Sequence, residues 1–434
     1  MKRNIYNSLI AWKNSKNRKP LVLYGARQVG KTYILKELGK NEYKNTLYLN
    51  FDKNKELHNY FADNISPHHI IDSLKTIFKQ EINAETLLIF DEIQECQRAK
   101  DSLKYFNEEA PEYNIAAAGS FLGIASGKFP VGQVDKLTLY PMTFYEFLEA
   151  TGNENSPNIH ALATEKLKQY FYIGGMPEAV KTYAQTGDLL LTRQIQEQIL
   201  SSYKEDFLKH IKGVDIPKVR MLWDSIPVHL AKEKKKFIYK EIKQGGRAAE
   251  FENALDWLVN TGLVYKISCT EEAKIPLVAY EERNSFKLYM LDIGLLAASA
   301  KLDVKTFFSK NHEVFKEFKG ALAEQFVLQE LKPKNIPISY WSNSTGKAEV
   351  DFVVQYEDKI IPIEVKSGES SKSKSLGVYI EKYNPQIAIR TSLSNYEKRG
   401  NLLNIPLYAI GELDEARLHF ANTALSLQTC VFGL

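Results

Sequence analysis

The segment Gly25 to Thr32 reads GARQVGKT, with its glycines, lysine and hydroxyl residue in G-x-x-x-x-G-K-T spacing. Gly25 and Gly30 let a loop bend until successive backbone N–H groups point inward. A helix beginning at the lysine adds its positive end, so the segment can cradle phosphates. Lys31 would reach the outer phosphates, and the Thr32 hydroxyl would join the coordination of Mg²⁺. Those fixed positions coincide by chance in roughly one or two chains of this length per hundred, so a second signal matters. It comes from LLIFDE, an apolar strand ending in Asp91 and Glu92, where a Mg²⁺-binding carboxylate and a water-activating base are required. The alternative, two acids that merely close a strand in solvent, loses ground once the loop is considered. Ser120 ends the strand YNIAAAGS between the two nucleotide strands, where it could sense the terminal phosphate, orient water, or simply cap a helix. The chemistry expected is Mg²⁺-dependent hydrolysis of a nucleoside triphosphate.

A second set of reactive side chains lies in AEVDFVVQYEDKIIPIEVKSG, read as two strands joined by a polar turn. Strand side chains alternate, so Glu364 and Lys366 share a face and the hairpin can bring Asp351 beside them. Asp351 and Glu364 could hold a divalent metal while Lys366 positions a nucleophile or stabilises charge. Glu324, on the preceding helix GALAEQF, could point into the same cleft and is a further candidate ligand. The competing reading is a solvated set of strand charges with a Glu364–Lys366 salt bridge. The apolar flanks FVV and IIPI favour a site, because charges on a buried strand are costly unless paired or ligating metal.

These residues need elements to hold them. From Leu21 to about Pro141 short apolar strands alternate with polar helical stretches, the rhythm of a parallel sheet. The turn-rich TGNENSP closes that α/β domain, residues 1–152. Residues 153–305 read as helical, with FIYKEIKQGG, RAAEFENALDWLVNTG and LVYKIS giving the helix, turn, helix and strand of a winged helix. FKLYMLDIGLLAA that follows reads as a core helix in which Asp292 caps or pairs. Residues 306–434 return to α/β with their own sheet. The basic run Lys232 to Lys236 reads as a solvated face, and the acids Glu250, Glu252 and Asp256 make RAAEFENALDWLVN a poor partner for phosphates.

Lys and Arg number 57 against 53 acids, a formal charge of +4, so a nucleic-acid footprint would have to be a local patch. Three scattered cysteines argue against a disulfide framework, a zinc site or an oxidising compartment and fit a reduced cytoplasm. The polar start is no signal peptide, and no apolar run is long enough to span a membrane.

The order GARQVGKT, DEIQ, AAGS and LYPMTFYEF resembles an AAA-type P-loop ATPase family common in bacteria and archaea, across the whole first domain. The resemblance implies ATP as the nucleotide, places Arg27, Gln28 and Gln94 at positions typical of that family, and adds Arg27 to the nucleotide-binding set. The chain departs from the family where a Gly-Arg pair is usual and Gly132 is followed by Gln133. The turn YIGGMPEAV also matches the family, with no role derivable from its residues. Asp351, Glu364 and Lys366 resemble the PD-(D/E)XK nuclease superfamily, and Gly320 to about Ile410 is similar to a domain habitually fused to this ATPase subfamily. Together these imply an α/β protein with a P-loop AAA-type domain, a helical and winged-helix middle and a restriction-endonuclease-like α/β end. Its function would be ATP hydrolysis coupled to a nuclease-like domain acting on DNA. A nucleotide-gated module that binds DNA or protein through an inactive nuclease fold is the rival reading, and an oligomer or protein partner is compatible with either.

Overall fold

Uninterrupted apolar runs form the centre of the first sheet, as parallel strands covered on both faces require. The computed structural model describes residues 1–119, 132–152, 158–211, 215–232, 235–309, 316–369 and 373–413, so the reading of Ser120 lies outside the described residues. By its contacts the chain forms two compact units, Met1–Tyr140 with Asn260–Gly262, and the remaining described residues from Pro141. The grouping keeps both sides of the expected division at 305 in one unit, for a reason visible in the second sheet.

In the first unit the elements are α1 (Ile5–Asn14), β1 (Leu21–Tyr24), α2 (Lys31–Glu42), β2 (Asn45–Asn50), α3 (Asn59–Ala62), α4 (Pro67–Phe78), β3 (Thr86–Asp91), α5 (Gln97–Glu109), β4 (Asn114–Ala118) and β5 (Asp135–Thr138). The strands pair in parallel in the order β2-β3-β4-β1-β5. Every residue of β1, β3 and β4 is buried. The spacing of Ile70, Ile71 and Leu74 on α4 and of Ala99, Leu103 and Phe106 on α5 turns one face of each helix onto that sheet. Phe51, Phe61 and Phe90 meet edge to face with centroids 5.4 to 5.8 Å apart. Burial of each such ring contributes about 1.5–3 kcal/mol.

The second unit runs α6 (Phe144–Thr151), α7 (Ile159–Ile173), α8 (Pro177–Thr186), α9 (Leu189–His210), α10 (Ile216–Leu230), α11 (Ala248–Asn260), β6 (Val264–Thr270), β7 (Glu281–Met290), α12 (Ile293–Ser299) and α13 (Val304–Phe308). It continues through α14 (Lys316–Leu331), β8 (Ile338–Ser342), β9 (Glu349–Tyr356), β10 (Lys359–Val365), α15 (Lys374–Tyr383), β11 (Ala388–Ser392), β12 (Glu397–Arg399) and β13 (Leu402–Pro406). All eight strands share one sheet, ordered β12-β13-β11-β10-β9-β8-β6-β7. The hairpin β6–β7 joins the rest where Cys269 and Thr270 pair in parallel with Tyr340 and Trp341 of β8. The strands expected for a middle and a final domain are therefore continuous.

Two local expectations are corrected. Only Tyr239–Glu241 of FIYKEIKQGG is helical, a single 3-10 turn, because Gly245 takes a left-handed φ of 76° and closes the segment. FKLYMLDIGLLAA is split: Phe286 to Met290 end β7, and Asp292 starts α12 by accepting the Leu295 N–H at 2.9 Å. Strand pairing with β6 overrides the helical pattern up to Asp292, where a side-chain cap permits a new helix.

Glu330, buried on α14, accepts the Phe144 N–H at the start of α6 at 2.8 Å. Burial pushes its acid from the ordinary 4.5 up to about 8. Because the folded form then holds a proton that the unfolded chain releases, stability falls as pH rises from about 4.5 to about 8. Glu330→Gln, which keeps the acceptor and loses the charge, should flatten that slope and unfold at higher urea than the parent at pH 8. Parallel denaturation curves at pH 5 and 8 measure this, and an unchanged slope in the variant would contradict the assignment.

Candidate functional site

The loop between β1 and α2 is shaped by backbone that only glycine tolerates well. Gly25 has φ 154°, and an added Cβ would stand 2.4 Å from the Leu139 carbonyl oxygen. Gly30 is left-handed at φ 98° and leads directly into α2. Lys31 is buried, and its ammonium donates to the carbonyls of Gly25 at 2.9 Å and Ala26 at 2.8 Å, so it spans the inside of the loop. Burial lowers its pKa to about 8, against the attraction of Glu92 and Asp91, and Arg27 adds to the lowering. Arg27 is half-buried on the same loop.

β4 lies between β1 and β3 in this parallel sheet, so the loop strand and the acidic strand end at the same edge, one strand apart. Asp91 closes β3 and is buried; the Thr32 hydroxyl lies 3.0 and 3.2 Å from its two oxygens. Glu92 follows with a left-handed backbone, φ 50° and ψ 44°, a costly conformation for a residue with a side chain. Gln94 donates to the Glu92 carboxylate at 2.5 Å and fixes its direction. Sequence reasoning missed two residues here. Tyr48 donates to Asp91 Oδ2 at 2.6 Å and Asn50 to the same oxygen at 3.3 Å. Burial, then the hydrogen bond to Asp91, pushes the Tyr48 hydroxyl up to about 12. Their signal was present in NTLYLN: two polar residues of like parity at the end of a strand, with Asn50 in register with Asp91. Arg3 was missed too. Its guanidinium donates to Val29 O at 3.1 Å and Tyr140 O at 2.6 Å, and tethers the phosphate loop to the chain leaving β5. Gln133, in place of the family arginine, turns onto α5, where it meets Asn107 and Glu108.

In the second unit the antiparallel pair β9–β10 brings Asp351 to Glu364 and Lys366. Asp351 Oδ2 accepts the Val365 N–H at 2.8 Å, and the Lys366 ammonium bonds Glu364 Oε1 at 2.7 Å. Among the described residues Glu364 Oε2 is buried without a hydrogen-bond partner. Burial, then the negative Glu324 and Glu364, raises the Asp351 acid well above the carboxylate range. Glu324 lies in the same field but is answered by ammonium groups: Lys235 contacts Oε1, and Lys287 lies 3.7 Å from Oε2. Burial alone would raise its acid, yet these cations hold it at about 2. Among the described residues no group of three or more His, Cys, Asp or Glu side chains is placed to hold a metal ion, so Glu324, Asp351 and Glu364 do not form a ready-made ligand set.

Helix α11 buries Phe251, Ala254, Leu255 and Leu258, and presents Glu252 and Asp256 outward. Among the described residues no helix is long and apolar enough to cross a membrane.

Residues 17–148 match the AAA domain family, residues 164–306 a domain of unknown function (DUF8612), and residues 319–410 a domain of unknown function (DUF4143). The uncharacterised protein MJ1544 of Methanocaldococcus jannaschii is 23% identical over 383 residues, 82% of this chain and 77% of that protein. Among solved structures, the Walker-type ATPase PABY2304 of Pyrococcus abyssi aligns with 69% of this chain and 95% of its own at a TM-score of 0.44 and 14% identity. The signal transduction ATPase PH0952 of Pyrococcus horikoshii, which carries a tetratricopeptide repeat sensor, aligns with 77% of this chain and 46% of its own at a TM-score of 0.29 and 12% identity. The first region of this chain is an AAA-type P-loop ATPase domain.

The donors around Asp91 give a direct test. Tyr48→Phe removes one hydrogen bond to a buried carboxylate and should cost the first unit about 1–2 kcal/mol. Denaturation without nucleotide measures it. An unchanged midpoint would show that Tyr48 does not hold Asp91.

Proposed function

We propose that this chain hydrolyses ATP and that its nucleotide cycle governs a nuclease-like centre for DNA. The observation that carries the first half is the Thr32 hydroxyl set 3.0 Å from buried Asp91 beneath a glycine-shaped loop. A hydroxyl and a carboxylate are hard oxygen donors of the kind that suit Mg²⁺, and Tyr48 and Asn50 hold the carboxylate through its Oδ2. Thr32 and Asp91 would hold Mg²⁺, which would supply positive charge against the charge building on the phosphate oxygens. Lys31 exchanges its loop carbonyls for the outer phosphates, and Arg27 adds positive charge on the same loop. Glu92, aimed by Gln94, accepts the proton of the attacking water. The AAA match supports ATP over other nucleotides.

The second half rests on the orphaned Glu364 Oε2 beside Asp351 and Lys366. It gains support from the run helix, three antiparallel strands, helix, strand from α14 to β11, in which β10 and β11 are parallel. The acidic outer face of α11 favours a packing role for the winged-helix segment, which leaves DNA to the C-terminal centre. The family matches support modules at 1–152, 153–305 and 306–434, the last two built on one sheet.

Two assays test the proposal. Glu92→Gln should keep ATP binding and lower turnover by at least about 100-fold, while Lys31→Ala should lose binding in a nucleotide-fluorescence titration. Undiminished turnover in Glu92→Gln removes that residue as the base. Plasmid and single-stranded DNA should be cut in Mg²⁺ or Mn²⁺ in an ATP-dependent manner, and Asp351→Ala should end cleavage while ATPase activity persists. No cleavage in any condition, with turnover intact, would replace the nuclease with a nucleotide-gated binding module.

A further inference from the structure

The basic run Lys232 to Lys236, expected to be solvated, sends one of its lysines inward. The Lys235 side chain is 13% exposed and its ammonium contacts Glu324 Oε1. Gly320, one turn before Glu324 on α14, lies beside it: an added Cβ would stand 3.7 Å from that ammonium, an ordinary van der Waals distance. Glu324 Oε2 accepts the Tyr289 hydroxyl at 3.0 Å and faces Lys287 at 3.7 Å. Lys287 is fixed differently. It lies within β7, wholly buried, with its ammonium 2.6 Å from Glu349. Lys235 precedes the 3-10 turn, and the nearby backbone tie is the Phe237 N–H to Phe286 O at 2.8 Å. Glu364 Oε2, on a residue only 5% exposed, has no donor among the described residues.

One carboxylate oxygen thus lacks a partner while a neighbouring carboxylate is held by an ammonium reaching in from a distant segment. A buried carboxylate needs a cation or a dense set of donors. Lys235 answers Glu324 directly and its charge also acts on Asp351, and with that ammonium in place the three carboxylates are not set to share a divalent ion. We infer that Lys235 is a plug: from within the chain it supplies the charge that a divalent cation would bring, and the centre takes up a cation only when this side chain withdraws. The inference rests on the nuclease-like reading for its choice of carboxylates and deepens it by naming a means of keeping the centre closed.

The test uses the full chain and Mn²⁺ alone, followed by the loss of the free-ion paramagnetic resonance signal. Lys235→Met, which keeps the apolar stem, should gain one Mn²⁺ site with at least tenfold higher affinity than the parent shows, and adding Asp351→Asn should abolish the gain. In chelator the single variant should melt at least about 5 °C lower than the parent, because Glu324 is left unanswered, and Mn²⁺ should restore the loss. Lys235→Arg should bind Mn²⁺ no better than the parent. A gain absent from Lys235→Met, or one that survives Asp351→Asn, overturns the plug. If Lys235→Met fails to fold, the unaltered chain decides: Lys235 should react slowly with an amine-labelling reagent and faster in millimolar Mn²⁺, and equal rates overturn the inference. A gain of Mn²⁺ without DNA cleavage upholds the plug and removes the nuclease. Cleavage by the parent with no gain in the variant does the reverse.

Discussion

Helix α14 imposes the constraint on which the second unit depends: it runs through the interior carrying Glu324, Gln325, Gln329 and Glu330, all buried. Each polar group left unsatisfied there would cost about 1–3 kcal/mol, so the surrounding elements are held where they can answer. Gln325 accepts the Met290 N–H at 3.0 Å and donates to the Met290 carbonyl at 2.7 Å, standing in for a neighbouring strand at the end of β7. Gln329 accepts the Ile293 N–H at 2.8 Å and donates to Tyr170 at 2.8 Å and to Asp292 at 3.1 Å. Glu330 holds the start of α6, and Glu324 draws in Lys235, Lys287 and Tyr289. One helix thereby sets the positions of the early helices, the hairpin and the acidic centre.

The same network explains a turn whose purpose was opaque. Asp292, capping α12, also accepts the Gly175 N–H at 2.6 Å. A Cβ on Gly174 would stand 2.3 Å from an Asp292 carboxylate oxygen, and one on Gly175 would stand 2.1 Å from the Met142 carbonyl oxygen. The two glycines of YIGGMPEAV let three segments meet at backbone distance. The turn is therefore a packing joint around a buried acid.

The first unit was largely legible because its signals are local. Five apolar runs became the five strands, and Gly25, Lys31, Thr32, Asp91 and Glu92 came together because their motifs sit at strand ends whose order follows from parallel pairing. Tyr48 and Asn50 were legible in principle, but only once β2 was known to neighbour β3. The second unit was less so. Asp351, Glu364 and Lys366 were brought together by a hairpin that the turn residues announce. Lys235 and Lys287 reach Glu324 across separations of 89 and 37 residues, and no period or spacing encodes that meeting. The helix expected from FIYKEIKQGG shrank to one turn ahead of left-handed Gly245, and the end of β7 was hidden in a helical pattern because pairing with β6 outweighs local propensity.

The junction between β6 and β8 has a consequence for how this chain can be divided. Only Cys269 and Thr270 pair there with Tyr340 and Trp341, yet that short seam hides the flank of each neighbour. A fragment cut between the hairpin and α14 would bare unpaired N–H and C=O groups along β6 on one piece and β8 on the other. Such flanks recruit strands from other molecules. The seam therefore acts as protection against self-association, and it binds the two segments to a common fate in synthesis, since neither strand edge is covered until both have emerged.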